Sequence, residues 1–143
     1  MLTPTIKTHR TGLVAAAILL TLGGGFIART AFAKIANNTI DPVAHVTDNG
    51  RRILLTGPIG CTAGERASLR VTVTQRSTGA VAEGRAFVTC TGDVQQWEVR
   101  ATTRGEPSFE EGPAQAVALG RTTEGGVTTD AHQWLVEITL VKE

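Results

Sequence analysis

The chain has 143 residues, with 14 Lys and Arg against 13 Asp and Glu, a net charge of +1, and only 4% aromatic residues. That length allows one main domain with a core of its own. A near-neutral chain whose longest Lys/Arg run is Arg51-Arg52 lacks the basic excess of a nucleic-acid binder, and nucleic acid is excluded as an expected partner.

The first 33 residues read as an export signal. Lys7, His9 and Arg10 form a basic start, an uncharged and mostly apolar run follows from Thr11 to Ala28, and Ala31-Phe32-Ala33 supplies small residues at the cleavage positions. Ala31, Ala33 and Lys34 therefore mark the expected cleavage, with a mature chain beginning at Lys34 in the extracellular space. If the leader is retained, residues 11–28 become an N-terminal membrane anchor with the domain outside. That run is 18 long and broken by Gly23-Gly24-Gly25, whereas a spanning helix needs about 20 apolar residues. Loss of Lys7, Arg10 and Arg29 with the leader leaves 11 basic against 13 acidic residues, a net charge near −2.

Residues 34–42 have no periodicity and are expected to be a flexible linker to a domain spanning 43–143. Beyond it no stretch carries helical periodicity, and Thr and Val are frequent, which suits a pleated, half-buried surface. Strands are expected at 43–47, 51–56, 67–76, 81–90, 94–103, 114–122 and 132–142. Leu69, Val71 and Val73 alternate with Arg70, Thr72 and Thr74, and Trp97, Val99 and Ala101 alternate with Glu98, Arg100 and Thr102. One apolar face at period two is the mark of antiparallel sheet. Asp48-Asn49-Gly50 supplies residues that tolerate positive φ for a tight hairpin, and Gly-containing turns punctuate the later strands. Seven short strands and a Cys pair point to an all-β, immunoglobulin-like antiparallel sandwich, with a small closed barrel as the alternative.

Cys61 and Cys90 are the only cysteines, and in an oxidising compartment they are expected to form one bridge. Cys90 shares a strand face with Val88 and Ala86, so it points into the core. Phe87 is left facing outward, under a loop or shifted by a bulge near Gly84. Trp97 and Trp134 lie in phase with apolar neighbours and are assigned to the core.

No chemistry stands out. Ser68, Ser77 and Ser108 are outside any Gly-x-Ser-x-Gly elbow, and His45 and His132 show no triad spacing. Asp130 with His132, or Glu110 with Glu111, falls short of a metal site. No catalytic residue, no metal and no cofactor is expected, and the chain is read as a non-enzyme. Ligand contact, if it exists, belongs on a loop, and 104–113 is the candidate, with Phe109 among Glu106, Glu110 and Glu111. The same aromatic residue would serve equally as a plug over one end of the domain.

Gly60-Cys61, the alternating Leu69–Gln75, Cys90-Thr91-Gly92 with Gln96-Trp97 after it, and Gly112-Pro113 leading into Ala114, Ala116 and Ala118 together resemble a group of small secreted domains. The group is common in actinobacteria and other high-GC bacteria and has no assigned activity. The resemblance covers Val46 to Glu143 and implies an exported, single-disulfide β-domain. The functional expectation is an extracellular binding module for protein or polysaccharide. The alternatives are a membrane-anchored structural envelope protein and a small inhibitor of secreted hydrolases working through the 104–113 loop.

Overall fold

The computed structural model describes residues 35–143. The expected leader, its cleavage residues Ala31, Ala33 and Lys34, and the segment 11–28 lie outside the described residues. Within them the fold is all-β: β1 (Ile35–Ala36), β2 (Val43–Thr47), β3 (Arg52–Cys61), β4 (Arg66–Gln75), β5 (Ala80–Thr89), β6 (Val94–Arg104), β7 (Gly112–Glu124) and β8 (Val127–Lys142). The period-two pattern placed all seven main strands, because they bury one face and wet the other over the stretches where it was read, as in β4, β6 and β7.

How the strands associate differs from the expected two-layer sandwich. The hydrogen-bonded order is β3-β2-β8-β7-β4-β5-β6, and β6 pairs back onto β3, so one sheet closes into a seven-strand barrel. Alternation is the same for a sandwich and a barrel, since either architecture buries one face of every strand. The decision comes from the long β3–β6 ladder, Arg52↔Thr102 to Gly60↔Val94. A ring with an odd number of strands must also contain a parallel neighbour. Here the parallel pair is β2–β8, from Val43↔Thr139 to Val46↔Lys142, and every other pair in the ring is antiparallel.

Residues 35–42, expected as a linker, belong to the barrel wall. β1 pairs with the Gly60-Cys61 end of β3. Asp41 N–H then donates to Thr56 O at 2.9 Å, and β2 pairs with the start of β3. Ile35 and Ile40 are each 2% exposed, and their burial holds this irregular strand in place.

The interior holds Ile53, Leu55 and Ile59 from β3, Leu69, Val71 and Val73 from β4, Trp97 and Val99 from β6, and Ile138 and Leu140 from β8. β7 gives the apolar core Ala114, Ala116 and Ala118, and these small residues leave room for bulkier side chains. Trp97 is buried as expected, its Nε1–H donating to Pro58 O. Trp134 is only half-buried, packed against the core beside His132.

Two crossings close the barrel. The β3–β4 turn passes over one end and is fastened there by the Cys61–Cys90 disulfide and by the Cys90 N–H···Glu65 O and Gly64 N–H···Cys90 O bonds. The segment 105–111 crosses the other end. The seam between β5 and β6 is short: it is paired only from Val81↔Arg104 to Glu83↔Thr102. At Gly84 the strands pass so close that a Cβ would meet Val99 Cγ1 at 2.5 Å, and beyond it the backbone ladder of β5 runs to β4 alone.

Candidate functional site

The expected contact loop, 104–113, is the strap over the barrel end. Arg51 Nη1 donates to Gly105 O at 2.8 Å and fixes its start. Phe109 N–H donates to Gly50 O at 2.9 Å. Gly50 has φ +82, and a Cβ there would lie 2.3 Å from Phe109 O, so the turn residue and the strap require each other. Buried Gln75 anchors the far side: its Nε2 donates to Glu110 O and its Oε1 accepts from Glu110 N–H, each at 2.9 Å. Phe109 is 2% exposed and is part of the core, which makes it the plug. Glu106, Glu110 and Glu111 are exposed on the outer side, and Glu111 Oε1 accepts from Lys142 N–H.

The two cysteines form the expected bridge, and both are buried. Among the described residues, no group of three or more His, Cys, Asp or Glu is placed to hold a metal ion, and no helix is long and apolar enough to cross a membrane.

A different surface gathers the reactive-looking groups. β4 lies between β5 and β7, and the ladder registers align their outward residues into rows. Phe87 sits opposite Ser68, which sits opposite Arg121. In the next row, Arg85 faces Arg70, which faces Leu119. Arg66, in the row on the other side of Phe87, lies over its ring at 4.6 Å from the centroid, a cation–π contact. Phe87 is 63% exposed, and the β4–β5 register runs unshifted through Gly84, so neither a covering loop nor a bulge accounts for it. Ser68 is the short residue among long ones. It leaves a hollow of about 290 Å³ walled by Arg70, Arg85, Phe87, Leu119 and Arg121.

One carboxylate serves this face. Glu83 accepts from Arg70 Nε at 2.5 Å and also pairs with Arg104. The hydrogen bond from Arg70, against partial desolvation and with the charges of Arg104 and Arg85 assisting, holds Glu83 below the usual carboxylate range. The Arg70 guanidinium is raised in turn by the Glu83 hydrogen bond and charge. A carboxylate with a lowered folded-state pKa contributes stability above its unfolded value, about 4.3, and loses it as pH falls through the folded value. Glu83→Gln is therefore expected to flatten the acid limb of stability against pH, measured as urea midpoints between about pH 3 and 7. An acid limb identical to wild type would show that Glu83 gains nothing from its arginines.

The outward positions of Arg70 and Phe87 follow from strand alternation. Their grouping with Arg66, Arg85, Leu119 and Arg121 follows only from the registers between three strands. Comparison of the sequence with protein-family models and with curated proteins found no match.

Proposed function

We propose that the protein is a secreted, non-enzymatic binding module that works through the outer face of β4, β5 and β7. The observation that carries the reading is Phe87, 63% exposed on the regular β4–β5 ladder and flanked by Leu119 and four arginines. A large aromatic held on the wet side of a rigid barrel loses little conformational freedom when a partner covers it. The disulfide agrees with an oxidising, extracellular setting, and the leader in the sequence agrees with export.

An envelope anchor remains compatible with this reading, because it concerns the leader and leaves the face free. The hydrolase-inhibitor alternative is less favoured, since it relies on Phe109, a side chain the strap buries.

The test is retention. Wild type and a Phe87→Asp/Leu119→Asp variant are immobilised and exposed to cell-envelope and medium fractions of the producing organism. Both positions face solvent, so the variant is expected to fold. Material retained by wild type and lost by the variant supports the reading. Equal retention, or none, overturns it.

A further inference from the structure

Building on the binding-face reading, we infer that the hollow above Ser68 is an anion site that takes the carboxylates of an acidic extracellular polysaccharide. The mature sequence is net acidic, yet the registers bring Arg66, Arg70, Arg85 and Arg121 onto one patch. Arg70 and Arg85 stand directly opposite one another on neighbouring strands. Like charges in that relation repel and destabilise a sheet. Glu83 offsets Arg70 and Arg104, while Arg85 and Arg121 have no ion pair among the described residues. A bound anion would relieve the repulsion that the fold leaves standing.

The shape selects among anions. Ser68, Arg70, Arg85 and Arg121 line the hollow; Glu83 already engages Arg70, which leaves Arg85 and Arg121 as the guanidinium forks that match carboxylate geometry. About 290 Å³ is at the lower end of the roughly 300–1,000 Å³ of small-molecule clefts, which suits one unit of a polymer. Phe87 and Leu119 flank the charges with apolar surface, and the flat C–H face of a sugar ring can cover it while its carboxylate meets the arginines. β4 is bonded on both sides here, by β5 and β7. The hollow lies over the face of β4, whose two edges are both paired, so a peptide seated in it would gain no main-chain ladder, which disfavours an acidic protein segment as occupant.

The probe is polygalacturonate, with neutral dextran and poly-glutamate as comparisons, in affinity electrophoresis and titration calorimetry of the mature protein. Retardation by polygalacturonate but not dextran is expected, weakening as salt is added. Arg85→Ala and Arg121→Ala are each expected to weaken it about tenfold or more, the loss of a charged hydrogen-bond pair. Phe87→Ala is expected to weaken it too, with the unfolding midpoint of each variant as the check on folding. Equal binding of poly-glutamate, insensitive to Phe87→Ala, would mean simple charge attraction and overturn the polysaccharide assignment. Absence of binding to polygalacturonate would overturn the inference as well. Envelope retention that still depends on Phe87 and Leu119 would then leave the binding-face reading standing, so the two failures are separable.

Discussion

Phe109→Ala is expected to cost the domain about 3–5 kcal/mol, the usual range for emptying a buried phenylalanine site. Total stability of a domain is about 5–15 kcal/mol, so this one side chain supports a large share of it. The reason lies in its position. Phe109 fills the barrel end, and the strap that carries it is bonded on one side to Gly50 and on the other to Gln75. Emptying the site leaves the strap tethered by polar groups over a void, and Ala gives the chain no reason to stay there. Urea unfolding of the variant should show a much lower midpoint. Glu106→Ala, on the same strap but exposed, should leave the midpoint nearly unchanged. Unchanged stability in Phe109→Ala, with loss of material retained from the envelope, would return Phe109 to the role of contact residue.

Removing the disulfide is the second large effect. The bridge spans 29 residues, and for a loop of that size the chain-entropy relation gives about 3–4 kcal/mol. The structure says where that loss will be felt. Beyond Gly84, β5 and β6 share no ladder, and the far end of their seam is held by Cys61–Cys90 and by Gln95, which bonds to Thr89 O and Thr91 N–H at 3.0 Å each. In a Cys61→Ala/Cys90→Ala variant, amide exchange should accelerate first at 85–89 and 94–101. The long β7–β8 ladder should remain slow. A uniform acceleration across the barrel would mean that the bridge acts only through the unfolded chain.

The contrast between these elements explains what a sequence can disclose. Strand positions were legible because alternation is a local property: Leu69, Val71 and Val73 report their own face without reference to any other strand. The inward phase of Cys90 followed in the same way. Closure was not legible, because β3–β6 and β2–β8 join residues far apart in the chain and leave no mark on local pattern. Residues 35–42 were missed for a related reason. Ile35 and Ile40 are out of any two-residue phase, and the stretch between the β1 and β2 pairings with β3 has no regular strand. Phe109 sits in a loop with no period at all, so its burial depends on where the strap crosses. The arginine face was half-visible. Each strand announced its outward residues, but which of them became neighbours was decided by registers that sequence does not state.

The parallel closing pair has a consequence for the order of events in folding. β2 is among the first strands made and β8 is the last, yet they must lie side by side for the ring to close. No closed barrel can exist on a ribosome until residues 139–142 have emerged, and pairing over so long a stretch is intrinsically slow. The topology delays its own completion, and the chain stays threadable until those residues are out.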